Sequence, residues 1–105
     1  MKIWRIQNKD GIGPYSVATT KKSPAVNEMQ NNHNMKLDVY PSTYSDIGIK
    51  RYPSKRELHG FINESQMRNW FSEDDFQVLS EDGFEVVVMD GEITAVGRNQ
   101  VLFRV

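Results

Sequence analysis

Apolar residues recur with a readable period only at the two ends of this chain, and the polar stretch between them constrains the fold more than any motif does. At the start, Lys2-Ile3-Trp4-Arg5-Ile6 is a short β-favouring run cut off by Asn8-Lys9-Asp10-Gly11 and Gly13-Pro14, which predicts a first strand and a turn. Trp4 and Ile6 share one face of that strand, so Arg5 points to the other with Ile3. Residues 16–56 carry Thr19-Thr20-Lys21-Lys22-Ser23-Pro24, Asn31-Asn32-His33-Asn34, Pro41 and Pro53 without a sustained period. They are expected to form a long loop-rich excursion with one short helix near Ala25 to Met35, and excursions of this length commonly serve as lids or binding loops.

Order returns at Leu58-His59-Gly60-Phe61-Ile62, read as a short strand. Asn63 with Gln66, and then Ser72 with Asp75, have the spacing of capping boxes, so two short helices are expected in succession. Met67, Trp70 and Phe71 put an apolar stripe on the first, Phe76 and Leu79 on the second, and Gly83 suits a left-handed C-terminal residue. Phe84 to Met89 is β-rich, Asp90-Gly91 signals a two-residue hairpin, and Glu92 to Val96 is the returning strand. Gly97-Arg98-Asn99 turns again before a last strand from Gln100 to Val105. The fold class is therefore α+β, a mostly antiparallel sheet with one or two short helices packed on it and a long irregular loop, all in a single domain over 1–105. Trp4, Phe61, Trp70, Phe71, Phe84 and Phe103 are its expected core.

The 105 residues are 38% hydrophobic and 26% charged, an ordinary globular balance. There is no cysteine, which removes disulfides, thiolate metal sites and a Cys nucleophile and favours a reducing compartment. Met1 is followed at once by Lys2-Ile3-Trp4-Arg5, not by the apolar run of a secretory signal, and no apolar stretch is long enough to span a bilayer. A cytoplasmic protein, in the host cytoplasm if viral, without membrane contact is expected.

Charge is unevenly placed. Between Asn63 and Glu92 nine acids face one base, Arg68, so this segment stands at −8 within a net charge of −1. Such a face is either a solvated helical surface or a docking surface for a basic partner, with Glu73, Asp74, Asp75, Glu81 and Asp82 as its candidate contacts. Lys50-Arg51-Tyr52 and Lys55-Arg56 interleave an aromatic with bases, a pattern too short to predict nucleic-acid binding. His33 and His59 lie in no ligand-spaced cluster, and Gly11-Ile12-Gly13 lacks the third glycine of a dinucleotide fingerprint, so no metal and no resident cofactor are expected. Arg5, whose planar fork suits phosphate or carboxylate, and His59 are the candidate ligand-binding residues that the strands present.

Two resemblances follow from these residues. The blocks Trp4-Arg5-Ile6, Gly11-Ile12-Gly13-Pro14-Tyr15, His59-Gly60-Phe61, Trp70-Phe71, Gly83-Phe84-Glu85-Val86 and Gln100-Val101-Leu102-Phe103 look like a family of small uncharacterised proteins of tailed phages and bacteria. They cover the first 15 residues or so and roughly the last 50, and imply a viral or mobile-element origin. More distantly, a first-strand Arg, a strand entering a helix with a Ser, and a final β-strand resemble in order the motifs of ADP-ribosyltransferases. That resemblance implies dinucleotide contact by Arg5, cleft support by Ser65 and an acid on the last strand, where this chain has Gln100. An amide cannot replace the carboxylate that offsets positive charge developing on a ribose. No complete catalytic set is therefore expected. The reading is a small phage-type accessory protein that acts by binding a host or defence protein through its acidic surface. The alternative is a transferase-like enzyme or degenerate nucleotide binder using Arg5, His59, Ser65 and Gln100.

Overall fold

A computed structural model describes residues 1–15, 23–36 and 41–105. In chain order these form β1 (Lys2–Gln7), α1 (Pro24–Asn34), β2 (Leu58–Gly60), α2 (Glu64–Trp70), α3 (Glu73–Glu81), β3 (Glu85–Asp90), β4 (Glu92–Val96) and β5 (Val101–Arg104). The α+β class and the order of the described elements follow the sequence reading, including a helix inside the polar excursion.

The strands make two antiparallel sheets. β1 pairs with β3 from Lys2 opposite Asp90 to Gln7 opposite Glu85, and β5 lies between β2 and β4. Trp4 joins them by exchanging backbone hydrogen bonds of 2.9 and 2.7 Å with Phe61. One expectation fails here: Asp90-Gly91 is no hairpin turn. β3 and β4 leave it into different sheets, and Gly91 is not among the glycines with positive φ. Glycine is needed there for close approach, since a Cβ would stand 2.8 Å from the Phe103 ring and 2.9 Å from the Arg104 carbonyl. Gly83 does adopt the left-handed conformation, at φ 83°, after α3.

Helix ends explain where the helices begin. Ser72 and Asp75 form a full reciprocal capping box on α3. On α2 the Asn63 side chain accepts from the Gln66 N–H at 2.8 Å, but Gln66 reaches back one residue further than a capping box requires, to the Ile62 N–H at 2.9 Å. Ser23 caps α1 by accepting from the Val26 N–H, and Pro24 opens the helix where a missing N–H costs nothing.

The core has two parts. Ile6, Val26, Met29, Phe61, Met67, Trp70, Phe71, Leu79 and Phe84 pack together under the helices, with Trp4 half-buried against them. Ile3, Val101 and Phe103 form a second cluster, with Met89 and Ile93 against it. The first strand thus alternates as expected, Trp4 and Ile6 facing one cluster and Ile3 the other. Of the six aromatics expected in the core, Trp4 alone is not fully buried.

Part of the polar excursion is held without apolar periodicity. Asp46, 1% exposed, accepts from the backbone N–H groups of Arg98 (3.1 Å) and Asn99 (3.2 Å) and from the Asn99 side chain (3.3 Å). One buried carboxylate thereby fastens residues 42–50 to the β4–β5 turn. The parts of the expected loop-rich excursion at 16–22 and 37–40 lie outside the described residues.

Candidate functional site

A cleft of about 540 Å³ opens beside β1, walled by the Gly13–Tyr15 turn, the C-terminal end of α1, residues 41–43 and 52–53, the β2 strand and the end of α2. That volume suits a drug- or nucleotide-sized molecule. Arg5, His59 and Gln100, named from three distant places in the sequence, all line it. Ser65 does not: it is exposed on α2, where a helix start presents it to solvent, so the middle residue of the transferase-like order is absent from the cleft.

Arg5 is 7% exposed. Its Nε donates to the Gln7 side-chain oxygen at 3.1 Å, Nη1 to the His59 carbonyl at 2.6 Å and Nη2 to the Gly11 carbonyl at 3.4 Å. Every one of these acceptors is neutral. Among the described residues Arg5 makes no ion pair with a carboxylate, and none of those lining the cleft is acidic. Burial lowers its pKa, yet a guanidinium stays charged at any ordinary pH. The protein therefore holds a positive charge, fixed in direction by three bonds and poorly solvated, at the cleft wall with no paired carboxylate among the described residues. Such a charge costs free energy unless something negative arrives.

His59 is exposed, but surrounding protein, and then the Arg5 charge, hold its pKa below the ordinary value. It is neutral at physiological pH. Gln100 is buried and donates from Nε2 to the Pro41 carbonyl at 2.9 Å, tying the rim to β5. It offers the cleft a dipole and no charge.

The rim at Tyr52 and Pro53 is steadied from behind by Glu57. This carboxylate takes both Nη atoms of Arg51 at 2.7 Å, the Ser54 N–H at 2.8 Å and the Thr94 hydroxyl. Arg51 first, then Thr94 and the Ser54 N–H, hold the Glu57 pKa far below its usual value of 4.5. A depressed folded-state pKa means a contribution present above the unfolded value and lost as pH falls through the folded one. Glu57→Gln is thus expected to lower the melting temperature at neutral pH, and the gap to the parent should close as pH drops below about 4.5. A gap constant from neutral to acid pH would contradict this role.

Sequence reasoning did not anticipate the opposite wall. Trp70 Nε1 donates to the Tyr15 hydroxyl at 2.7 Å, the Tyr15 oxygen lies 2.5 Å from His33 Nδ1, and His33 Nε2 lies 3.0 Å from Asp75 Oδ2. Phe71 stacks on Tyr15 with ring centroids 6.1 Å apart and meets the His33 ring at a tilt, with centroids 5.8 Å apart. Each member carried a local explanation in the sequence: Trp70 as core, Asp75 as cap, His33 as an isolated histidine, Tyr15 as part of a turn. Only the packing of α1 against α3 assembles them. The two helices run antiparallel, tied at one end by His33 with Asp75 and at the other by the Ser23 hydroxyl donating to Asp82.

That packing also divides the acidic segment. Asp75 and Asp82 are engaged within the molecule, whereas Glu73, Asp74 and Glu81 are exposed and make no ion pair among the described residues. Glu73 and Asp74 sit in the first turn of α3, where the helix dipole favours negative charge. No described helix is long and apolar enough to cross a membrane.

Fold and cleft define a small α+β protein with one buried cation facing an acid-free pocket among its described residues. The chain belongs to the bacteriophage T4 Y00F protein family, whose model matches residues 1–105, the polar middle included. No curated protein and no solved structure matches the chain. The family places it among phage proteins, and the ADP-ribosyltransferase-like order of motifs finds no counterpart in these comparisons.

Proposed function

We infer that this phage protein is an accessory factor that works by binding, and that its cleft takes a small anionic ligand with a planar group, of the nucleotide class. The observation that carries this is Arg5, a buried cation held by neutral acceptors and paired with no carboxylate among the described residues. Phosphate oxygens complement its fork, and the aromatic wall of Phe61, Trp70 and Phe71 suits a stacked ring. Gln100 argues against transfer chemistry at a ribose carbon. Calorimetric titration with ADP and with adenosine tests the reading. ADP should bind at least about tenfold more tightly, the worth of a charge-assisted hydrogen bond, and incubation with nicotinamide dinucleotide should release no nicotinamide. Equal affinities, or no heat from either nucleotide, would contradict it.

A second reading keeps the acidic face. Exposure of Glu73, Asp74 and Glu81 supports capture of a host or defence protein with a basic surface. Neutralising Glu73 and Asp74, and leaving Asp75 to its structural bonds, should weaken that capture and flatten its salt dependence. Pull-downs from host lysate that are unchanged at low and high salt would sink it.

A further inference from the structure

The hydrogen-bond chain on the far wall of the cleft has a fixed polarity. An indole N–H can only donate, so the Tyr15 oxygen accepts from Trp70; an ionised carboxylate can only accept, so His33 Nε2 carries the proton that faces Asp75. In the neutral ring Nδ1 is then the acceptor, and the Tyr15 hydroxyl donates to it. This is the arrangement of an activated nucleophile: a hydroxyl, a base within hydrogen-bond reach, and a third group that sets the tautomer and orientation of the base. The orienter is itself held, because Asp75 Oδ2 also accepts from the Ser72 N–H at 3.1 Å. His33 is 5% exposed, so its ring cannot turn away into water. Tyr15 and Arg5 line the same cleft, and Gly13, two residues before Tyr15, lies against the guanidinium, with its Cβ position 3.4 Å from Nη2.

We propose that Tyr15 is a nucleophile for phosphoryl transfer, with His33 as its general base, Asp75 as the residue that positions His33, and Arg5 drawing the phosphate into the cleft. The proposal rests on the anionic-ligand reading above and adds a reaction to it. The Tyr15 oxygen forms a bond to phosphorus while its proton passes to His33 Nδ1. The bond from phosphorus to the leaving oxygen breaks, and that oxygen takes the proton from His33, returning the ring to neutrality. The products are an alcohol and a phosphotyrosyl ester. Water attacking phosphorus, with its proton passing through His33 to the departing Tyr15 oxygen, restores the enzyme. Oxidation states do not change, and water is the sole co-reactant.

The test uses the intact protein with bis(4-nitrophenyl) phosphate. The expected result is release of 4-nitrophenolate above the buffer rate, together with a covalent phosphoryl adduct that peptide mass spectrometry places on Tyr15. Tyr15→Phe should abolish both. Asp75→Asn should slow release about 100-fold or more and move the alkaline or acid limb of the pH–rate profile, a change that a purely structural role would not make. Should a variant fail to fold, the adduct on the parent protein still decides the matter. Release no faster than buffer, release retained in Tyr15→Phe, or an adduct on another residue overturns the proposal. ADP binding without any release would sink this inference alone, whereas absence of ADP binding would sink the reading beneath it.

Discussion

Trp70→Ala is expected to destabilise the protein by about 3 to 5 kcal/mol, the range for removing a buried aromatic. Trp70 is 8% exposed, packs on Phe61 with ring centroids 6.0 Å apart and sits in the larger of the two core clusters. A domain of this size has roughly 5 to 15 kcal/mol of total stability, so the variant should lose a large share of it. The melting temperature should fall by roughly 12 °C or more. Trp70→Phe separates packing from polarity: it retains most of the apolar area and removes the donor to Tyr15, at about 1 kcal/mol. A Trp70→Ala melt indistinguishable from the parent would show that the core is elsewhere.

Arg5→Gln is expected to weaken ADP binding by about 10- to 100-fold, equivalent to about 1.5 to 3 kcal/mol for a hydrogen bond to a charged group. Glutamine retains a donor and removes the charge, so the affinity gap between the two proteins should narrow as ionic strength rises. The parent's affinity should fall with salt, since the attraction is partly long-ranged. Calorimetric titrations of both proteins at low and high salt check this. An affinity in Arg5→Gln equal to that of the parent would remove Arg5 from the site.

Features set by neighbours in the chain were legible in the sequence. Ser72 with Asp75, Gly83 after α3 and the Gly97-Arg98-Asn99 turn each act over a few residues, and each occurs where its local signal put it. Asp90-Gly91 was misread because a glycine required for tertiary close approach looks, from sequence, like one required for positive φ. The ordering of residues 42–50 was illegible for a related reason. It depends on Asp46 meeting N–H groups more than 50 residues away, and polar clamps of this kind leave no period.

The site shows the same division. Arg5 and His59 could be named because their side-chain chemistry stands out on short strands, and Gln100 by its place in the transferase-like order of motifs; the three share a cleft. Ser65 was carried by motif order alone and lies outside it. Tyr15, His33 and Asp75 come from a turn and two helices separated by 18 and 42 positions. Their alignment is a product of α1 crossing α3, which helix periodicity does not specify.

The most direct test of the central claim, that a buried Arg5 makes this cleft an anion site, is nuclear magnetic resonance of the Arg5 Nε–H during titration with ADP and, separately, adenosine. Bonded to Gln7 and shielded from water, this proton should exchange slowly with solvent. Its resonance should shift on addition of ADP and remain in place with adenosine. An Arg5 signal that exchanges as fast as that of a surface arginine, or that stays unmoved at saturating ADP while other residues respond, would contradict the account.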